Sequence, residues 1–342
     1  MLLGSFPAGS AEEVFLTTGE ALGECVSRLP DGETGPRSMW IGWQEHVLRD
    51  HPQFEMVQDD RTRRAERRKM ADGSSIPPRY RLRDGIAPEE VAFSSLGYVE
   101  AARQSYAVFS SLKGAGKIPE QTRFQVCLPT VVAFLEHLVL TASQPTVEPA
   151  YEARLFADVR EIAALVRPGE LAIQWDVSKE MAIWERAWPI YFEDIEAGVV
   201  ERLARHGEAV PETAELGFHL CYGDFGHKHW KEPADTANMV DVANGVFASV
   251  SRPIDWLHMP VPRDRDDDAY FAPLADLRLR PETRLYLGLV HHTGGEEGTR
   301  RRIAAAKKFA PEFGIGTECG MGRRPADTVA EVLRIHVAMA RG

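Results

Sequence analysis

The stretch LAIQWDVSKEMAIWERAWPIYFEDIEAGVVERLARHGEAVPETAELGFHLCY, residues 171–222, decides the fold. It begins with the apolar run Leu171–Val177 and ends with a second run at 216–222, and both contain the β-branched and aromatic residues typical of buried strands. Between them, residues 194–207 show the apolar spacing of an amphipathic helix. A strand, a helix and a second strand in this order predict a βαβ unit with parallel strands.

The same alternation extends along the whole chain of 342 residues. Eight short apolar runs predict strands, and most of the segments between them have helical periodicity. The predicted strands are residues 2–6, 25–29, 123–128, Leu171–Val177, 216–222, 254–259, 284–290 and 313–319. A closed barrel of alternating strands and helices has eight strands, which is the number predicted here. We therefore predict a (β/α)8 TIM barrel, with residues 1–342 as a single domain.

The connection between the second and third predicted strands is too long for one crossover helix. Residues 35–122 are therefore predicted to form an insertion of helices and loops that lies over the barrel mouth. The insertion contains the basic run RTRRAERRK at 61–69. We interpret this run as a solvated helix or mobile insert, with a clamp for an anionic substrate tail as the alternative.

Composition limits the compartment and the partners. No apolar run approaches the roughly 18 residues that span a bilayer, and the N-terminus MLLGSFPAGS lacks the pattern of a secretion signal, so we expect a cytoplasmic protein without membrane association. A net charge of −11 argues against general nucleic-acid binding. The four cysteines, at positions 25, 127, 221 and 319, include no close pair. They are better explained as free thiols or metal ligands than as a disulfide framework.

Two of these cysteines and a histidine have the arrangement of a metal site. His219 and Cys221 are two residues apart on a predicted strand, so their side chains leave the same face and can bind one ion. Cys319 follows 98 residues after Cys221, and only a closed barrel brings it to the same point. Zinc accepts thiolate and imidazole ligands, and a catalytic zinc site keeps one position open. The alternative is that both cysteines are small buried apolar residues.

These segments also resemble a known family. FHLCYGDF at 218–225, followed by GIGTECGMGRRP at 314–325, resembles the catalytic C-terminal barrel of cobalamin-independent methionine synthase, in the superfamily that also contains uroporphyrinogen decarboxylase. LLGSFP at 2–7 and IQWDV at 173–177 resemble the same barrel. The resemblance runs in order over nearly the whole chain, and its specific part is the pair of zinc motifs. It implies a divergent, single-barrel member of the family.

The resemblance implies a zinc-dependent transferase that moves a methyl or other alkyl group from a donor to a small-molecule thiol. It places His219, Cys221 and Cys319 at the family's zinc ligands, and zinc would activate the thiol as its thiolate. The family's remaining ligand is a glutamate on the intervening strand, where this chain has His258. His258 is therefore predicted to complete the zinc site, or alternatively to support it or to contact substrate.

Other polar residues at the predicted strand ends are candidates for substrate binding and proton transfer. The substrate-binding candidates are Asp31, Glu33, Arg37 and Trp175, and the catalytic candidates are Asp176, His291 and His292. For Asp31, Glu33 and Arg37 a plain turn after the second strand is the alternative. For Trp175 the alternative is ordinary packing. The family's acidic pair is reduced here to Asp176 followed by Val177, so homocysteine is in doubt as the acceptor.

Three other functions stay open at the level of sequence. A thiol transferase of the coenzyme M type would open an epoxide at the same zinc. A uroporphyrinogen-decarboxylase-like lyase would need no metal and would depend on Arg37 and Asp31. A zinc hydrolase would hold water at the open position, although residues 2–6 lack the His-x-His that begins amidohydrolase barrels.

Overall fold

The computed structural model describes residues 1–57, 77–224 and 228–340, so the basic run at 61–69 lies outside the described residues. Nine strands are assigned within these ranges. They are β1 (Arg28–Pro30), β2 (Phe54–Val57), β3 (Arg79–Leu82), β4 (Arg123–Pro129), β5 (Leu171–Val177), β6 (Glu215–Leu220), β7 (Trp256–Pro260), β8 (Arg284–Gly288) and β9 (Gly314–Ile315). β1 and β4 to β9 form one curled, parallel, seven-stranded sheet in chain order, whereas β2 and β3 form a separate antiparallel pair.

Helices connect the strands of the main sheet, as the sequence predicts. The α-helices of the described residues are α1 (Ala11–Leu22), α2 (Glu45–Arg49), α3 (Tyr98–Gly114), α4 (Val131–Leu138), α5 (Gln144–Leu165), α6 (Lys179–Trp184), α7 (Ile195–Ala209), α8 (Ala237–Ser249), α9 (Asp268–Phe271), α10 (Gly295–Ala306) and α11 (Val329–Ala340). Short 3-10 helices lie at Gly23–Cys25, Gly35–Gln44, Pro88–Glu90, Thr141–Ser143, Ala272–Asp276 and Ala326–Thr328. In the described parts of the chain, we find no helix with the length and apolar character that crossing a membrane requires.

Seven of the eight predicted strands overlap strands of the main sheet. The bounds of β5 are those predicted, and the last predicted strand, 313–319, shortens to β9, which places Cys319 in the loop that follows. The exception is residues 2–6, which form only a single parallel bridge, between Ser5 and Gly32. Gly4 has a φ of +105°, and this left-handed conformation interrupts the extended backbone that a regular strand needs.

The N-terminal segment nevertheless lies between the two edges of the main sheet. The Met1 α-amino group donates to the Ile315 carbonyl on β9 at 2.7 Å. The backbone N–H of Phe6 donates to the Gly32 carbonyl, just beyond β1, at 2.9 Å. The segment therefore occupies the place of the predicted first strand without its regular hydrogen bonding.

The segment between β1 and β4 differs from the predicted insertion in two ways. It contains the hairpin of β2 and β3, whereas only helices and loops were predicted. Its last helix, α3, packs against α1 and α5 and leads directly into β4, so α3 is the crossover helix of this βαβ unit. Only residues 35–97 are additional to the repeating pattern, not 35–122.

The two faces of the main sheet contact separate apolar clusters. The smaller cluster consists of Met1, Leu3, Ala172, Trp256 and Tyr286. Because side chains alternate along a strand, Ala172, Gln174 and Asp176 share this inner face of β5. Trp175 lies on the other face, where its indole N–H donates to the His206 carbonyl of α7 at 3.0 Å.

His206 should make the stability of the fold depend on pH. Its ring is fully buried, its Nδ1–H donates to the Arg202 carbonyl, and its Nε2 accepts from the Val131 N–H. Burial lowers the pKa of His206 from 6.5 to about 4. The unfolded chain therefore binds more protons between these values, and stability falls as the pH drops through this window.

We expect His206→Gln to remove this contribution. As the pH falls from 6.5 to 4, the free energy of unfolding should decrease more steeply for the wild type than for the variant. The difference between the two slopes should be about 1.4 kcal/mol per pH unit. Urea unfolding of both proteins at several pH values measures the difference. Parallel pH dependences would show that His206 does not stay neutral in the folded protein.

Candidate functional site

The His219, Cys221 and Cys319 side chains come together at the carboxyl ends of the strands. His219 lies on β6, and Cys221 follows it on the same face, where the Cys221 N–H still donates to the Val177 carbonyl of β5 at 3.0 Å. Cys319 arrives from the loop after β9, and the two sulfur atoms are 3.4 Å apart. All three ligand atoms lie within 4.8 Å of one another. The structure thus brings together three residues that the sequence separates by up to 100 positions.

The ligand types of this group and the distance between its two sulfur atoms suit a zinc ion. Sulfur and nitrogen ligands of a tetrahedral zinc are about 3.6 to 3.8 Å apart, because the bonds are about 2.3 and 2.05 Å long. The two sulfur atoms approach this spacing. His219 Nε2 is buried and has no hydrogen-bond partner among the described residues, so it is available as a ligand. The Gly223 N–H donates to Cys221 Sγ at 3.2 Å and fixes that sulfur.

Electrostatics favour the metal-binding form of Cys221. A hydrogen bond from Cys319 lowers the pKa of the Cys221 thiol well below its ordinary value, and the neighbouring His219 adds to the effect. Burial lowers the pKa of His219, but the Cys221 thiolate together with the charges of Asp176 and Asp224 outweighs burial, so the pKa is raised. The pair therefore favours a thiolate, which is the form of cysteine that binds metals.

His258 does not join the group of ligand atoms. Its ring is fully buried on β7, directly beside His219 in the parallel register. Its Nδ1 lies 2.8 Å from His219 Nδ1, and its Nε2 lies 3.0 Å from the Thr317 carbonyl oxygen. Both ring nitrogens are thus engaged with other partners.

A buried acidic group lies at the same end of the sheet. Arg37 donates to both carboxylate oxygens of Asp31, at 2.6 and 3.2 Å, and lowers the pKa of Asp31 against the effect of burial. Burial, reinforced by the charge of Asp176, raises the pKa of Glu33 well above its ordinary value. Burial likewise raises the pKa of Asp176 to about 6, although Gln174 and Trp40 donate hydrogen bonds to its carboxylate.

Two residues of this region have strained backbones. Glu33 and Trp40 adopt positive φ angles of 50° and 52°, which non-glycine residues rarely do. Trp40 belongs to the segment after β1, and its indole N–H reaches Asp176 Oδ2 at 3.1 Å. Such conformations persist where the surroundings hold them, and they cluster at functional sites.

His291, His292 and Trp175 are not part of the group of ligand atoms found in the described residues. His291 is buried, donates from Nε2 to the Val261 carbonyl at 2.8 Å, and has its Nδ1 3.7 Å from Glu318 Oε2. Burial lowers the pKa of His291 to about 3, so it is neutral. His292 is exposed just before α10. Trp175 faces the helices, so the structure does not bring it to the site.

Several residues that we did not predict surround the centre. Arg323 donates to both carboxylate oxygens of Asp224, at 2.7 and 2.8 Å, and this ion pair links the two segments that carry the cysteines. The His229 side chain is 3% exposed, and its Nε2 lies 3.6 Å from Glu318 Oε2. Asp224, Glu318 and Arg323 belong to the two motifs themselves, so their sequence positions beside the cysteines were the available signal.

The fold and site define a parallel α/β protein of the barrel type with a His-Cys-Cys group at the carboxyl ends of its strands. No family model matches the sequence, and a search of curated proteins gives no significant match. Among solved structures, the chain is similar to a B12-independent methionine synthase from a Shewanella species in complex with selenomethionine. The two share 15% sequence identity with a TM-score of 0.61, over 97% of this chain and 87% of that chain.

The chain is also similar to the structure of a putative vitamin B12-independent methionine synthase from Listeria monocytogenes. It shares 13% sequence identity with a TM-score of 0.56, over 97% of this chain and 86% of that chain. At these identities the similarity shows a common fold. It extends over nearly the whole chain, as the sequence resemblance does.

Proposed function

We propose that this protein is a zinc-dependent transferase that moves a methyl or other alkyl group to a small-molecule thiol. The observation that carries the proposal is the convergence of the His219, Cys221 and Cys319 ligand atoms within 4.8 Å at the carboxyl ends of the strands. The shared fold with methionine synthase structures supports it, and one of those structures holds selenomethionine, a selenoether. A thioether is the corresponding product of transferring an alkyl group to a thiol.

We also propose that the seven strands and the N-terminal segment form one closed (β/α)8 barrel, with residues 1–342 as a single domain and residues 35–97 over its mouth. The hydrogen bonds of residues 1–6 to both sheet edges support closure. The contact between Trp40 and Asp176 supports the position of the additional segment. In this arrangement His219, Cys221 and Cys319, the proposed metal group, would lie inside the barrel mouth.

The three ligands would hold zinc in a site with one open position. When bound, zinc would lower the pKa of a thiol that enters this position, so that its sulfur becomes a nucleophile near neutral pH. The chain's own residues prepare the site, because the Gly223 N–H fixes Cys221 and the ion pair of Asp224 with Arg323 ties its loop to that of Cys319.

The acidic residues would bind and orient the substrate. Glu33 and Asp176 would hold a polar group of the thiol substrate, while Arg37 and Asp31 keep the turn after β1 in place through their ion pair. With a pKa of about 6, Asp176 can also take up or release a proton near neutral pH. His291 is neutral and its one N–H, on Nε2, donates to the Val261 carbonyl, so its Nδ1 would act as an acceptor for a substrate proton. His292 would act at the exposed entrance.

The ion pair of Arg37 weighs against the metal-free decarboxylase. That reaction would need a cation free to hold a substrate carboxylate, but Arg37 already donates two hydrogen bonds to Asp31. The zinc hydrolase and the epoxide-opening transferase would use the same metal group. Only the response to a thiol and the identity of the product distinguish these two functions from the transfer of a methyl group.

X-ray absorption spectroscopy of the zinc-reconstituted protein tests the proposal. Two sulfur ligands are expected without substrate and three after addition of a bound thiol, with homocysteine and coenzyme M as the first probes. Mass spectrometry should then detect a thioether when methyl donors or epoxides are added with that thiol. A sulfur count that stays at two with every thiol, together with ester or amide hydrolysis, would favour the hydrolase instead.

A further inference from the structure

We propose that His258 is a positioning residue that selects which ring nitrogen of His219 faces the two cysteines. The inference rests on the proposed zinc site and concerns how the chain prepares it. In this role His258 is not the fourth ligand, although it occupies the strand position where the resemblance places one.

The hydrogen bonds around His258 determine where its proton lies. A carbonyl oxygen can only accept, so His258 Nε2 must carry a hydrogen to bond the Thr317 carbonyl at 3.0 Å. A neutral imidazole has one N–H, which leaves a lone pair on His258 Nδ1. His219 Nδ1, 2.8 Å away, must then be the donor in the bond between the two rings.

The consequence for His219 is a fixed tautomer. With its proton on Nδ1, neutral His219 has its lone pair on Nε2, the buried atom without a hydrogen-bond partner in the described chain. Metal binding requires that lone pair, and partners behind a ligating histidine commonly set its tautomer and orientation. Loss of such a partner typically weakens metal binding by about 10 to 100-fold.

The same residue connects the two segments that carry the ligands. Thr317, which accepts from His258, lies two residues before Cys319, and its hydroxyl donates to the Cys319 carbonyl at 2.6 Å. His258 therefore links His219 on β6 to the loop after β9. A carboxylate at position 258 could not make both of these hydrogen bonds, because it cannot donate to the Thr317 carbonyl.

Two substitutions separate this role from simple packing. In His258→Asn, the amide oxygen can take the place of Nδ1 and accept from His219. In His258→Gln, the amide nitrogen can take the place of Nε2 and donate to Thr317, but no acceptor remains for His219. We expect the zinc dissociation constant, measured by chelator competition, to rise about 10 to 100-fold in the glutamine variant and only slightly in the asparagine variant.

Nitrogen-15 NMR of histidine-labelled, metal-free protein provides a second readout that does not depend on zinc. At a pH where His219 is neutral, its proton should lie on Nδ1 in the wild type and in His258→Asn, and should be shared between both nitrogens in His258→Gln. Equal weakening of zinc binding in both variants, or a proton on His219 Nε2 in the wild type, would overturn the proposal. So would two imidazole ligands in the zinc absorption spectrum. Absence of zinc binding in the wild type would refute the proposed function, while the NMR result would still decide the role of His258.

Discussion

The Cys319→Ser variant is expected to bind no zinc, whereas we expect the wild-type protein to bind about one zinc ion per chain. A structural zinc site contributes roughly 10–16 kcal/mol of binding free energy, so an equal share for one of three or four ligands is about 2.5 to 5 kcal/mol. That corresponds to a dissociation constant roughly 10² to 10⁴-fold higher. Elemental analysis of protein purified without added metal, followed by chelator competition, measures both quantities.

A second cysteine gives the matched control. Cys25 lies in the 3-10 helix before β1, at the opposite ends of the strands from the metal group, and is only partly buried. Cys25→Ser removes the same sulfur atom and should keep its zinc. Full zinc content in Cys319→Ser would show that the group is misassigned. A folded wild type without zinc would leave the two cysteines as packing residues and favour the metal-free lyase.

The strand pattern and the pair His219 and Cys221 were predictable because both depend on local periodicity. The side-chain alternation that puts those two residues on one face of β6 needs no tertiary information. Cys319 needed the further assumption that the sheet curls, and the 3.4 Å distance between the sulfur atoms agrees with it.

The inner and outer faces of the strands were harder to predict. β5 is buried on both faces, so its apolar residues do not show which face is the inner one. Alternation alone, however, excludes a common face for the neighbours Trp175 and Asp176. The role proposed for His258 depends on its register beside His219 and on the Thr317 carbonyl, neither of which the sequence displays.

Gly217→Ala should strongly destabilise the fold, although it adds only one methyl group to β6. Gly217 pairs with Trp256 of β7 on the inner face, and an added Cβ would overlap the atoms of the indole ring. Trp256 cannot simply move, because it is fully buried and the Arg28 guanidinium lies 4.1 Å from its ring centre. Overpacking typically costs 1–3 kcal/mol, and a clash with a fixed aromatic ring belongs at or above the upper end, so we expect about 3 kcal/mol or more.

Chemical unfolding of the variant measures this loss, with Gly114→Ala as the control. Gly114 ends α3, and an added Cβ there would meet no atom within 4 Å. Alanine should be neutral or slightly stabilising at that position, since it restricts the unfolded chain more than glycine does. A Gly217→Ala protein within about 1 kcal/mol of wild type would show that β6 and β7 can separate at little cost.

A second substitution tests the cause. Trp256→Leu should itself be destabilising, yet it provides the space that the added methyl group lacks in Gly217→Ala. The double variant should therefore lose less stability than the sum of the two single variants.

The same substitutions should affect zinc binding. Because Gly217 precedes His219 by two residues on the same face, a forced separation of β6 from β7 would also pull His219 away from His258. Zinc affinity should therefore fall with stability in Gly217→Ala and recover in part in the double variant. If stability recovers but zinc affinity does not, the contact between the two histidines is not what prepares the site.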